Sequence, residues 1–164
     1  MAIETIKFGR DEFRVRSIMA FYCAKNSEGF HISAYTKLGT SRVCESASQE
    51  KIEEKLRAIS GQLQMVGLNN FALTGDAILN IEEVKYVDLE HTPFLSSMLS
   101  KQVVATFRDD TKLTIGSEIK SFEEEKAGRE IIAEYDRQKH EYRTASAAVD
   151  LNPVIAEPKT PVQA

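Results

Sequence analysis

The sequence contains no tryptophan, and only two cysteines and four prolines occur among its 164 residues. Cys23 and Cys44 lie 21 positions apart without a Cys-x-x-Cys pair, unlike the cysteines of a small secreted disulfide scaffold. Two isolated thiols favour a reducing compartment, so we expect a cytoplasmic location. No apolar run approaches the ~18–20 residues that a membrane span needs, and the charged N-terminal stretch does not resemble an export signal. The sequence therefore predicts no membrane partner.

A basic excess is missing as well. The formal net charge is −4, with a balance of +2 over residues 1–75 and −6 over residues 76–164. Neutralising phosphates supplies most of the affinity of nucleic-acid binders, so nucleic acid is a disfavoured partner here. The one mild basic cluster is most simply a solvated charged edge, and it would supply the contacts if the chain bound duplex DNA. It comprises Lys7, Arg10, Arg14 and Arg16.

The sequence also lacks the motifs of catalysis, phosphate binding and metal binding. Its eight glycines never reach the GxxxxGK or GxGxxG spacing of phosphate loops. His31, His91 and His140 fall on different predicted elements, whereas a metal site needs several converging ligands. No serine lies in a GxSxG context. We therefore predict that the protein is not an enzyme, and we expect no catalytic residue, no metal and no cofactor.

Two similar series of elements are present. In the first, residues 13–21 form an extended apolar segment, and Asn26–Gly29 supplies the residues of a tight turn. Residues 30–35 alternate as a second strand, which turns at Lys37-Leu38-Gly39 into a third. Ser46 followed by Gln49 is a capping-box pattern that predicts the start of a helix. The apolar stripe of that helix comprises Ile52, Leu56, Ile59 and Leu63.

The second series repeats this order. An apolar strand is predicted over residues 78–87 and another over residues 103–107, which turns at Asp109-Asp110 into Leu113–Ile115. Ser121 with Glu124 predicts the start of a long helix that ends near Arg143. Gly128 weakens that helix by about 1 kcal/mol.

These patterns predict an α+β domain with mainly antiparallel sheet, made of two strand–hairpin–helix units. We expect the domain to span residues 1–143. The Pro-containing residues 144–164 are predicted to be a flexible, disordered tail.

The segment Phe71–Ile81 resembles the middle of the LytTR-type DNA-binding domain of response regulators. Five positions match that family's pattern without a gap, and the order of elements is similar over about residues 12–125. The matching positions are Phe71, Ile78, Leu79, Asn80 and Ile81. The resemblance implies a β-rich fold and a transcription regulator that binds duplex DNA. However, Thr74-Gly75-Asp76 stands where the family has His-Arg-Ser, so the basic recognition residues are missing.

Our preferred interpretation is a non-catalytic regulatory or interaction module that binds a protein partner or associates with itself, with a homodimer expected. The long connection Asp88–Gln102 contains a short amphipathic pattern, which would either pack on the domain's own core or form a partner surface. Its apolar residues, our candidate partner-binding residues, are Phe94, Leu95, Met98 and Leu99.

A third hypothesis is a small-ligand or nucleotide-binding protein. A phenylalanine ring would stack on a base, and nearby cations would meet phosphates. The competing interpretation is a core phenylalanine, an asparagine that satisfies a turn and exposed hairpin charges. The candidate ligand residues are Phe71, Asn80, Arg108 and Lys112.

Overall fold

The structure is a computed structural model that describes residues 3–91 and 101–156, with side chains up to residue 148. These residues form ten strands and two long helices, and every strand pairing among them is antiparallel. The prediction of an α+β fold with mainly antiparallel sheet is confirmed. No helix among the described residues is both long and apolar enough to cross a membrane.

A five-stranded sheet is the centre of the molecule, with the strand order β5-β4-β3-β7-β6. Its strands are β3 (Ile18–Asn26), β4 (Gly29–Thr36), β5 (Gly39–Ser46), β6 (Phe71–Thr74) and β7 (Ala77–Asn80). The turn between β3 and β4 forms where the sequence predicts it, and the Asn26 Oδ1 accepts a hydrogen bond from the Glu28 N–H at 2.8 Å. The polar side chain thus satisfies the backbone of a sharp reversal.

Two smaller sheets accompany the central one. A hairpin consists of β1 (Thr5–Phe8) and β2 (Asp11–Arg14), and a three-stranded meander has the order β10-β9-β8. The strands of the meander are β8 (Val84–Glu90), β9 (Lys101–Phe107) and β10 (Lys112–Ile119). The predicted hairpin turn around Asp109-Asp110 joins β9 and β10.

Helix α1 (Gln49–Met65) covers one face of the central sheet. All four residues of its predicted stripe are buried, and they pack with Phe21 and Ile32 of the sheet and with Phe8 and Phe13 of the β1–β2 hairpin. We call this aromatic-rich cluster the α1 core. The period of 3.6 residues was sufficient to predict the face of α1 that is buried.

Helix α2 (Phe122–Ala156) and the meander cover the other face. Their cluster, which we call the α2 core, includes Met19, Leu79, Phe107 and Tyr135. Gly128 does not interrupt α2. The helix packs closely on the meander at this point, since a Cβ on residue 128 would lie 2.8 Å from Ile119 Cδ1. The glycine therefore permits close packing of the helix on the meander.

The two predicted units correspond to β3-β4-β5-α1 and β8-β9-β10-α2. The strand predicted over residues 78–87 is wrong as a single strand, because the chain turns after Asn80 and only resumes as β8 at Val84. β7 pairs with β6 and β3, so the β6–β7 hairpin belongs to the first sheet.

Three further boundaries differ from the sequence predictions. The predicted strand over residues 13–21 is interrupted by a 3-10 turn at Val15–Ser17. The N-cap of α1 is Ser48, whose hydroxyl accepts from the Lys51 N–H at 3.3 Å, because Ser46 still belongs to β5. Helix α2 continues beyond Arg143 to Ala156, where alanines favour helix, so the predicted domain boundary at 143 falls inside α2. The rest of the predicted tail, residues 157–164, lies outside the described residues.

Candidate functional site

The candidate partner-binding residues lie outside the described part of the chain. Phe94, Leu95, Met98 and Leu99 all fall within residues 92–100. The predicted bounds Asp88–Gln102 of this connection are too wide, because β8 continues to Glu90, β9 begins at Lys101, and Glu90 lies opposite Gln102. The interpretation of this segment as a partner surface stays a prediction.

The four cations of the basic cluster lie on the β1–β2 hairpin and the 3-10 turn that follows it. Lys7 lies opposite Glu12 across the hairpin, and Arg14 lies opposite Thr5, so the register places Lys7 and Arg14 on the same exposed face. Arg10 is at the hairpin turn, and Arg16 is in the 3-10 turn and lines the cavity described below. Binding of DNA by this cluster stays a prediction.

Phe71 and Asn80 lie directly opposite each other on β6 and β7. Both are buried, with 6% and 4% of their surfaces exposed. The Asn80 side chain donates to the Ile18 carbonyl at 2.8 Å and accepts from the Asn70 side chain at 2.9 Å. These bonds fix the end of β7, and the Phe71 ring packs in the α1 core rather than presenting a stacking face.

Arg108 and Lys112 flank the β9–β10 turn but point to different partners. The Lys112 ammonium pairs with the Glu90 carboxylate at 2.6 Å, while the Arg108 Nε donates to the Glu82 carbonyl at 2.5 Å. The structure therefore does not gather the four candidate ligand residues into one site.

The segment that departs from the LytTR pattern, Thr74-Gly75-Asp76, forms hydrogen bonds with both β3 and α2. The Thr74 hydroxyl donates to the Ile131 carbonyl of α2 at 3.1 Å, and the Cys23 N–H donates to the Asp76 carbonyl at 3.0 Å. Gly75 has φ +60°, which suits the first position of a two-residue type II′ turn, and a Cβ there would lie 3.1 Å from Ile131 Cδ1. We call Thr74-Gly75-Asp76 the internal joint.

The side chain of Asp76 extends the internal joint to the meander. Its carboxylate accepts a hydrogen bond from the Gly116 N–H of β10. Burial nevertheless raises the pKa of Asp76, and the Glu53 carboxylate acts in the same direction. The carboxylate is thus held in a place where its charge is disfavoured.

The two cysteines lie on either side of Ile32 of β4, Cys23 on β3 and Cys44 on β5. Burial, followed by the negative charge of Asp76, raises the pKa of Cys23 to about 12. Burial likewise raises the pKa of Cys44. Both thiols are therefore protonated at neutral pH and act as small side chains beside the α1 core. Among the described residues, no three His, Cys, Asp or Glu side chains are arranged to hold a metal ion.

The largest cavity, about 860 Å³, is a groove that we call the long cleft. It runs between the start of the chain, the 3-10 turn, the end of α1 and the β7–β8 turn. Its lining comprises Ile3, Glu4, Val15, Arg16, Lys37, Val66, Gly67, Leu68, Asn70, Asn80, Glu82 and Glu83. The cleft thus brings together Arg16 and Asn80, which the sequence assigned to two different hypotheses.

The lining of the long cleft includes both apolar and charged side chains. Ile3, Val15, Val66 and Leu68 supply the apolar side chains. Among the charged residues, the Lys37 ammonium pairs with the Glu83 carboxylate at 3.0 Å. This composition suits a ligand with both apolar and charged groups.

Two of the exposed apolar side chains line the long cleft. Six large apolar residues are exposed in the described structure, and Ile3 and Val66 are among the residues that line the cleft. Val66 continues the period of the α1 stripe one turn after Leu63, so its exposure at the cleft had no signal in the sequence.

No family model matches the chain, and no curated protein and no solved structure is significantly similar to it.

Proposed function

We propose that this chain is a non-catalytic interaction module that binds a protein partner at the long cleft. The observation that carries the proposal is a groove lined by apolar and charged side chains together, with Ile3 and Val66 exposed in it. Exposed apolar side chains combined with polar residues are typical of a protein interaction site.

The lining of the cleft suggests how a partner would be recognised. Exposed Ile3 and Val66 would be covered by apolar side chains of the partner, which gives affinity. Arg16 and the Lys37–Glu83 pair would fix its orientation through polar contacts. The cleft volume of about 860 Å³ is large enough for several side chains of a short segment.

A double substitution in the cleft lining tests the proposal. Ile3→Ser with Val66→Ser removes exposed apolar surface from the cleft and leaves the buried residues of α1 intact. Phe122→Ser is the matched control, because Phe122 is 84% exposed but does not line the cleft. Circular dichroism and thermal unfolding establish that both variants fold.

The readouts are partner capture by the full chain and sedimentation over a range of protein concentrations. We expect a captured partner, or the self-association that a homodimer requires, to weaken at least about tenfold in the cleft variant and to persist in Phe122→Ser. Capture and self-association that are equal in both variants would show that the cleft is not the interaction surface.

A further inference from the structure

A second cavity, about 480 Å³ in volume, lies beside the long cleft and shares Glu82 with it. It is enclosed by the β7–β8 turn, the residue that follows β9 and the later turns of α2. Two arginines from different elements, Arg108 and Arg143, line it together with Tyr142 and Ser146. We call it the arginine pocket.

Backbone hydrogen bonds hold Arg108 in place. Its N–H donates to the Glu83 carbonyl at 2.8 Å, and its side-chain Nε donates to the Glu82 carbonyl. Its terminal guanidinium nitrogens take part in none of the ion pairs of the described residues, and neither does Arg143. Two positive groups thus border the pocket without a carboxylate partner.

Glu82 contributes the single carboxylate of the pocket lining. Its Oε1 accepts a hydrogen bond from the Tyr142 hydroxyl at 3.1 Å, which orients it toward the helix. The lining therefore carries two positive charges and one negative charge, whereas the whole chain has a net charge of −4. The pocket is a local exception to the acidic character of the second half of the sequence.

The arginines come from distant parts of the chain, and the pocket that both line brings them together. Tyr135 of α2 is fully buried, and its hydroxyl has no hydrogen-bond partner among the described residues. Burial raises the pKa of Tyr135, the positive charges of Arg143 and Arg108 act to lower it, and the Asp136 carboxylate acts to raise it.

We propose that the arginine pocket binds the oxyanion group, phosphate or carboxylate, of a small organic molecule. The planar guanidinium group donates paired N–H bonds in a geometry that matches both kinds of oxyanion. The Ser146 hydroxyl, which hydrogen-bonds to the Tyr142 side chain, supplies a further polar group at the rim. The pocket volume exceeds that of one ion, so the bound molecule has a body beyond its charged group.

The test is a titration of the full chain with sodium phosphate and, separately, sodium acetate, with ionic strength held constant by sodium chloride. Two-dimensional NMR follows the backbone amides of residues 142–146 and the Arg108 Nε–H. We expect saturable shifts at these positions, and the anion that saturates at the lower concentration identifies the preferred oxyanion. Shifts that stay linear or absent to 100 mM for both anions would overturn the proposal.

Arg143→Gln is the decisive variant, because Arg143 is exposed and glutamine is a good helix former. We expect it to weaken anion binding about tenfold or more, since a charge-assisted hydrogen bond is lost. Arg108→Lys keeps the charge and should bind with intermediate affinity because paired donation is lost. Arg129→Gln, on the same helix but outside the pocket, is the control and should bind as the native chain does. Equal binding by all three variants would show that the anion binds elsewhere.

Discussion

The two faces of the central sheet are closed by helices that use different physical means. On one face, α1 packs through a regular apolar stripe against aromatic rings from the sheet and the β1–β2 hairpin. On the other face, α2 approaches through Gly128 and is joined to the sheet edge by polar bonds, among them the one from the Gln138 amide to the Leu73 carbonyl at 2.7 Å. Stability on the α1 side rests mainly on burial of apolar surface, whereas α2 also needs close approach and specific hydrogen bonds.

The arginine pocket lies on the α2 side, and the long cleft lies where the end of α1 meets the β7–β8 turn. Both are at one end of the molecule, with Glu82 common to both linings. The β8–β9 connection joins the meander at its other end, where Glu90 pairs with Gln102.

The largest expected effect concerns the α1 core. Leu56→Ala removes a side chain that is 2% exposed and should lower the free energy of unfolding by about 2–5 kcal/mol, because transfer and cavity costs add. Ile131→Ala on α2 should cost less, since Ile131 is only half-buried. Urea unfolding of both variants measures the difference. If Ile131→Ala lowered the free energy of unfolding as much as Leu56→Ala, apolar burial would contribute equally on the two faces of the sheet, contrary to our expectation.

A smaller effect is expected at the internal joint. Gly75→Ala places a side chain at φ +60° and within 3.1 Å of Ile131 Cδ1, so backbone strain and crowding combine to cost roughly 2–3 kcal/mol. Gly67→Ala is a matched control, because Gly67 has φ +85° but its Cβ position is free of neighbours. It should show the backbone cost alone, roughly 1–2 kcal/mol. Equal thermal stability of the two variants would indicate that steric crowding against Ile131 of α2 does not contribute to the cost of Gly75→Ala.

The smallest effect depends on pH and concerns Asp76. Its folded-state pKa lies above the unfolded value of 3.8, so the folded protein holds the proton more tightly and loses stability as pH rises through this interval. Asp76→Asn is neutral at every pH and keeps an oxygen that can accept from the Gly116 N–H. We expect it to be more stable than the native chain at neutral pH, with the difference vanishing below about pH 3.8.

Urea unfolding of the native chain and Asp76→Asn from pH 3 to pH 7 measures this difference. A variant that is less stable than the native chain at neutral pH would mean that the charged carboxylate strengthens the bond to Gly116 by more than its burial costs. The charge of Asp76 would then stabilise the folded protein rather than destabilise it.

The parts of the fold that the sequence predicted are those with local causes. The stripe from Ile52 to Leu63 and the turns at Asn26–Gly29 and Asp109-Asp110 each depend on residues within a few positions of one another. The strand predicted over residues 78–87 was wrong because Asn80 ends β7 through bonds to Ile18 and Asn70, which are brought close only in the folded chain. The prediction that α2 ends near Arg143 was wrong, because the alanines that follow Arg143 favour helix and the helix continues to Ala156.

The candidate sites were harder to predict, because a site requires residues from distant parts of the chain to converge. Arg16 and Asn80 were each singled out, but for different functions, and the fold places both on the long cleft. In the sequence, Arg143 is only a charged residue at the predicted end of a helix. Its proximity to Arg108 depends on how α2 packs beside the β9–β10 hairpin, and no spacing along the sequence reports that.

The sequence by itself determined the antiparallel α+β architecture and the buried face of α1, because alternation and helical period act through neighbouring residues. Only the tertiary structure decided that Thr74-Gly75-Asp76 lies beside α2 and β10, that Phe71 is a core residue and that two arginines border one pocket. Those features depend on long-range packing, in which a residue's role is set by neighbours far away in the chain. For this protein, the residue pattern defines the layers, and the contacts between the layers define the surfaces available for binding.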